Sequence, residues 1–281
     1  MTITRTSLAE LVDRLHSLPS LPEVVMQITK ATADPTTNAR QIHELVVKDA
    51  AIAAKMLHMV NSVFYGLKEP VRDLEQAVNI LGFKTVRSIA LSVGVLNAFQ
   101  QQNACFNMKI FWTHSAVSAA VSRMIAIRSR SMDPELAFLI GLLHSIGQLV
   151  VAQAAPDETR SIIAVSQEFA LPFHRAAREV LDTDEAELGA WLCKHWDLDV
   201  AIVRAIRDQH RLASAEEAVP VAIIQFSTHL CRLKNLRVPG DCSPSQLDPS
   251  VWVHLGIDKN TLVDLVSAVN DEVEKSKVLL G

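Results

Sequence analysis

The sequence predicts an all-α protein of two packed helical bundles followed by a C-terminal helical tail. Three observations carry that expectation. Apolar residues recur at helical spacing along nearly the whole chain, helix-start signals follow one another closely, and period-two alternation is almost absent.

The elements can be justified in order. Ser7-x-x-Glu10 and Ser20-x-x-Glu23 each read as a capping box, the second with Pro22 in its first turn, where a missing N–H costs nothing. Val24, Val25, Ile28 and Ala31 then share one helical face. Asn38 caps a helix through Ile42, Leu45 and Val46. Asp49 caps the next, which buries Ile52, Ala53, Met56, Leu57 and Val60. Asn61 closes that helix by bonding nearby backbone. Asp73 opens a short helix that Gly82 ends in a left-handed turn, and a long apolar helix follows over Lys84–Phe99.

Phe111–Ile127 is a helix carrying Trp112 and His114. Asp133-Pro134 caps and opens the helix that holds His144. Further helices are expected over Thr159–Phe169, Pro172–Leu181, Glu185–Trp196, Val200–His210, Pro220–Leu233 and Lys259–Lys275. Trp112, Trp191 and Trp196 sit at spacings suited to core packing, and His195 and His210 read as structural. A polar break at 100–107 and a loop at Val238–Ser250, rich in Pro, Ser, Asp and Gly, divide the chain into residues 1–105, 106–237 and 238–281.

Composition narrows the function classes. A net charge of −4 gives no positive field for nucleic acid. The nearest basic cluster, Arg123, Arg128 and Arg130, reads as a solvated helix end that complements the dipole. No run approaches the roughly 18 consecutive apolar residues of a membrane span, and the N-terminus lacks the apolar core of a signal peptide. Cys105, Cys193, Cys231 and Cys242 show no CxxC pair, which fits free thiols in a reducing, cytoplasmic compartment.

The most informative run is GLLHSIGQL, Gly141–Leu149. With LPSLPEVV (Leu18–Val25), KDAAIAAKMLHMVNSVFYG (Lys48–Gly66), AVNILGFKTVRSIALS (Ala77–Ser92), FWTHS (Phe111–Ser115) and EAELGAWLCKHWDLDVAIVRAIRDQH (Glu185–His210), it resembles the HDOD domain. That domain is a bacterial signalling relative of the HD phosphohydrolases. The resemblance spans about Leu18–Leu233 and implies that the second bundle is HD-like.

It also implies where a metal would sit. HD enzymes bind a divalent ion through a histidine, a His-Asp pair and a later aspartate. Those positions fall on His114, His144, Ser145 and Thr228, so hydroxyls stand where both carboxylates belong. Gln148 replaces a lysine of the phosphodiesterase relatives, and Glu185 replaces a histidine. His210 closes the last matching motif. Hard divalent ions need anionic oxygen ligands to offset dehydration, so no catalytic residue, resident metal or cofactor is expected. His114 and His144 would hold a divalent transition metal only weakly.

The function expected is therefore a non-enzymatic signalling or scaffolding module that binds a protein partner, with Phe64 and Tyr65 as candidate anchors where the two bundles meet. The alternatives are a metal-dependent phosphohydrolase acting on a nucleotide or cyclic dinucleotide, and a sensor that binds a nucleotide-like ligand without hydrolysing it. Neither nucleic acid nor membrane is an expected partner.

Overall fold

The computed structural model describes residues 6–14, 20–61, 67, 69–99, 105–215, 217–244, 247–257, 263, 265–266 and 269. Among these there are helices, one 3-10 turn at Leu212–Ser214 and no strand, so the chain is all-α. An isolated bridge pairs Thr6 with Leu181. The chain forms two compact units, Pro19–Gln100 and, together, Met1–Leu18 with Gln101–Gly281.

In the unit Pro19–Gln100, α2 (Glu23–Ala33), α3 (Ala39–Val46) and α4 (Ala50–Val60) pack on α5 (Leu74–Ala98). Side-chain caps start three of the four. Asn38 and Gln41 form a reciprocal capping box, Asp49 accepts from the N–H groups of Ala51 and Ile52, and Asp73 accepts from those of Glu75 and Gln76. The box expected at Ser20 does not form. Helix α2 begins at Glu23, which puts Glu23 at the first helical position rather than the third, and Pro22 is the cap.

Gly82 breaks α5 with φ 76° and ψ 158°. The positive φ is as expected, but ψ lies outside the left-handed helical region, in a conformation open essentially to glycine alone. Asn61 reaches further than a local turn. Its Nδ2 donates to Leu57 O and to Val71 O, at 2.8 and 2.7 Å, and its Oδ1 accepts from Val71 N at 2.6 Å. Phe64 and Tyr65, the proposed anchors, lie outside the described residues.

The other unit begins with α1 (Leu8–Arg14), whose Ser7–Glu10 capping box does form. Then come α6 (Met108–Ser129), α7 (Pro134–Leu143), α8 (Ile146–Ala154) and α9 (Pro156–Phe169). They are followed by α10 (Phe173–Val180), α11 (Glu185–His195), α12 (Val200–Asp208), α13 (Ala218–Leu233) and α14 (Ser250–Leu255). The core lies between α6, α7, α13 and α14, around Val117, Val121, Ile125, Phe226 and Leu230.

Arg123 departs from the solvated role expected of it. It pairs with Glu135 at the start of α7, at 2.8 Å. Among the tryptophans, Trp112 and Trp196 are buried, whereas Trp191 is half-buried and stacks on the exposed His195.

The segment 238–250 does more than separate a tail. Asp241 accepts from Arg232 on α13 at 2.6 Å, and Trp252 on α14 packs edge-on against Phe226 at 5.0 Å. The helix expected at Lys259–Lys275 lies almost wholly outside the described residues, although Leu265 and Val269 are buried.

Three stretches, Leu74–Ala98, Met108–Ser129 and Pro134–Ala154, do reach the length and mean hydropathy of a bilayer span. Their most apolar windows are 67%, 72% and 94% buried, so packing within the fold accounts for most of that apolar character.

Candidate functional site

Helices α6 and α7 bring the first histidines together, and a glycine makes that approach close. A Cβ on Gly141 would stand 2.7 Å from Ser118 O and 2.8 Å from Ala119 Cα, so α7 lies against the backbone of α6 at this point. Three residues on, α7 ends. His144 is its last cap and Ser145, with φ −101° and ψ 4°, separates it from α8. His144 therefore sits in a break rather than within a helix. Two residues later, Gly147 presses α8 onto α11. A Cβ there would meet Glu185 O at 1.8 Å and Gly189 N at 2.6 Å.

The outcome is a buried pair. His114 Nε2 and His144 Nε2 are 3.1 Å apart. Their Nδ1 atoms lie 2.7 Å from Leu236 O and 2.8 Å from Gly141 O, respectively. A carbonyl oxygen only accepts, so each Nδ1 carries the hydrogen, and in the neutral rings both Nε2 lone pairs face each other. Burial keeps the rings neutral, lowering His114 to about 4 and His144 to about 3, the latter lowered further by His114 itself.

The hydroxyls of Ser145 and Thr228 are engaged within the protein. Ser145 Oγ lies 3.4 Å from Ser115 Oγ, and Thr228 Oγ1 donates to Ile224 O at 2.9 Å within its own helix. Two neutral nitrogens and two hydroxyls do not fit a hard divalent ion such as Mg²⁺ or Mn²⁺, which wants carboxylates.

A second cluster occupies the same cavity, which measures about 660 Å³ and is lined by His114, His144, Gln148, Glu185, His210 and Arg232 among others. His210 Nε2 is 2.9 Å from Glu185 Oε1. Across His210 lies His174, the second residue of α10, with ring centroids 3.8 Å apart and 13° between the planes. Burial pushes Glu185 up to about 8 and lowers His174 and His210. Glu185 Oε2 and Gln148 Oε1 are buried with no partner among the described residues.

Gln209, next to His210, donates from Nε2 to His144 O at 2.8 Å and so ties the end of α12 to the break after α7. Val238, Asp241 and Ser243, after α13, also line the cavity.

Of the residues singled out in the sequence, His114, His144, Ser145, Gln148, Glu185, His210 and Thr228 all line this one cavity. His174, Arg232 and Asp241 also line it and were missed. Asp241 gave only a loop signal. His174 lies in a short amphipathic helix whose charged neighbours read as solvated surface.

The model of the HDOD domain matches residues 18–212. The chain belongs to the HDOD family.

Its relatives share the architecture more than the sequence. An HDOD domain protein of unknown function from Geobacter sulfurreducens has a TM-score of 0.83 at 22% identity, covering 97% of each chain. A protein from Shewanella amazonensis SB2B, provisionally named a phosphohydrolase, has a TM-score of 0.76 at 24% identity, over 96% of this chain and 98% of that one. One from Marinobacter aquaeolei VT8, provisionally named a signal transduction protein, has a TM-score of 0.74 at 21% identity, over 97% of this chain and 66% of that one. At these identities the likeness is one of fold.

A curated Treponema pallidum (strain Nichols) protein, named only as uncharacterized, is 26% identical over 251 residues, which is 88% of this chain. The chain spans about half the length of that relative, 48% of it.

Proposed function

We propose that this HDOD chain is a signal-transduction module that works by binding and does not hydrolyse phosphoesters. One observation carries the reading. The hydroxyls of Ser145 and Thr228, the residues that the family resemblance sets at the carboxylate positions of HD hydrolases, are both turned to partners within the protein. Without an anionic ligand set, no metal-bound water is brought toward a pKa near 7, and the hydrolytic route lacks its nucleophile. Gln148, in place of a lysine, also leaves no counter-charge for a phosphate there.

The reading is that of a scaffolding surface for a protein partner in a bacterial cytoplasm. Bacterial relatives and four free cysteines agree with it. His114 and His144 would hold a divalent transition metal weakly, since Zn²⁺ takes three protein ligands even at open sites.

A second reading, a small-molecule sensor, is favoured by the cavity itself. Its volume of about 660 Å³ falls within the range of ligand pockets, roughly 300–1,000 Å³.

The test is an assay with Mn²⁺, Mg²⁺, Ni²⁺ or Fe²⁺ against nucleotides, cyclic dinucleotides and a generic phosphodiester, beside a thermal-shift screen with the same nucleotides. No turnover is expected. Metal-dependent turnover that vanishes in His144→Ala would refute the proposal, and a nucleotide that raises the melting temperature would favour the sensor.

A further inference from the structure

The two halves of the cavity differ in donor chemistry. The half built by His114 and His144 has lost its carboxylates. The other half has a carboxylate and two imidazoles, with Glu185 bonded to His210 and His174 stacked on His210. His174, Glu185 and His210 each present one ligand atom, and these atoms lie within 4.8 Å of one another.

From this geometry we infer that His174, Glu185 and His210 form a binding site for a divalent transition ion of the Zn²⁺ class, at a ligand set separate from the degenerate His114–His144 pair.

Several features point to an ion rather than to a purely structural cluster. Glu185 is only 4% exposed, and its second oxygen, Oε2, is buried without a hydrogen-bond partner among the described residues. A buried polar oxygen without a partner is rare in a folded protein, and one on a residue that lines a cavity marks a place for a bound group. Two imidazoles and one carboxylate are a donor set suited to Zn²⁺, Ni²⁺ or Co²⁺, with a fourth position left for water or a ligand.

Part of the geometry is in place. Around a tetrahedral ion with bonds near 2.1 Å, ligand atoms stand about 3.4 Å apart, so His210 Nε2 and Glu185 Oε1, 2.9 Å apart across a hydrogen bond, need to part by only about 0.5 Å as the ion displaces the shared proton. His174 is the part that must move. Stacked rings 13° from parallel cannot both aim a lone pair at one point, so His174 has to turn out of the stack. It is half-buried, at the second position of α10, and the stack on His210 is the contact it would give up.

The inference goes beyond the non-hydrolytic reading and does not depend on it, because the measurement is of binding. The full chain is stripped with a chelator and titrated with Zn²⁺ by calorimetry, and with Co²⁺ by visible absorption. One equivalent of Zn²⁺ is expected, with Co²⁺ bands of the intensity typical of four-coordination.

His174→Ala and Glu185→Gln should each weaken Zn²⁺ binding by about 100-fold or more, since even outer-shell partners command roughly 10–100-fold. Melting of the metal-free proteins checks their folding, and His174→Ala, at a half-buried position, should melt with wild type. Absence of Zn²⁺ binding by the wild-type chain would overturn the inference, as would a folded His174→Ala protein that binds as tightly as wild type.

Discussion

Replacing Gly147 by alanine tests the packing that builds the cavity. The added Cβ would lie 1.8 Å from Glu185 O and 2.6 Å from Gly189 N, both backbone atoms on α11. An ordinary carbon–oxygen contact is about 3.2 Å, so α8 and α11 must part by roughly 1.4 Å, with no side-chain rotamer able to absorb the shift. A gap of 0.5–1 Å already forfeits a quarter to a half of a dispersion contact, and Ile146, next to Gly147, and Leu188, next to Gly189, are both buried. The expected cost is about 3–5 kcal/mol, at the upper end for single substitutions.

The control is Gly189→Ala. Its Cβ meets the side chain of Ile206 at 3.1 Å and Gly147 N at 3.3 Å. Relief of about 1 kcal/mol from better helix propensity offsets that crowding, so a change within about 1 kcal/mol is expected. Thermal melts followed by far-ultraviolet circular dichroism should show a fall of about 10 °C for Gly147→Ala and little change for Gly189→Ala. A Gly147→Ala protein melting within about 2 °C of wild type would refute the backbone contact and, with it, the account of how Glu185 reaches the cavity.

The remaining predictions concern charge and local ties. His114 and His144 have folded-state values of about 4 and 3, below an unfolded value of 6.5, so their contribution is complete above pH 6.5. It is lost as pH falls, because the unfolded chain takes up protons first, at up to about 1.4 kcal/mol per pH unit per histidine. Glu185, raised to about 8, has the opposite sign and loses stability as pH rises above about 4.5. Urea melts from pH 7 to 5 should therefore fall less steeply for His144→Gln than for wild type, and an unchanged slope would contradict its burial as a neutral ring. Asn61→Ala removes three hydrogen bonds to Leu57 and Val71 and should cost about 1–2 kcal/mol in denaturant melts. Asp241→Ala leaves Arg232, 22% exposed, without the carboxylate it donates to, and should cost about 2–3 kcal/mol.

Much of the fold was legible because the signals that define helices are local. Asn38, Asp49, Asp73 and Asp133 each cap the helix that follows, and a cap needs only its own side chain and the next three N–H groups. Ser20 shows the limit of that logic. A capping box also depends on where the first turn begins, and the chain turns helical at Glu23, too late for Glu23 to reach back. Asn61 shows another limit, since the sequence suggests a local backbone bond but not that Val71 supplies the partner.

The site was legible where a motif fixed the spacing and illegible where only the tertiary path did. His144 and Ser145 stand out within GLLHSIGQL, and Glu185 opens a run ending in Gly189. His174 has no such frame. It reaches His210 only because α10 folds back before α11, and nothing in FHRAAREV marks that return.

The glycines connect these halves. Gly141 and Gly147 flank His144 and Ser145 three and two residues away, and each faces backbone of a different helix. Their contacts are steric and owe nothing to a metal, so the packing of α7 on α6 and of α8 on α11 does not depend on what Ser145 or Thr228 can bind. The Gly141 contact sets α7 against α6 at the His114–His144 pair, and the Gly147 contact sets α8 against Glu185 on α11. Both clusters of the cavity therefore rest on backbone packing that needs no ion.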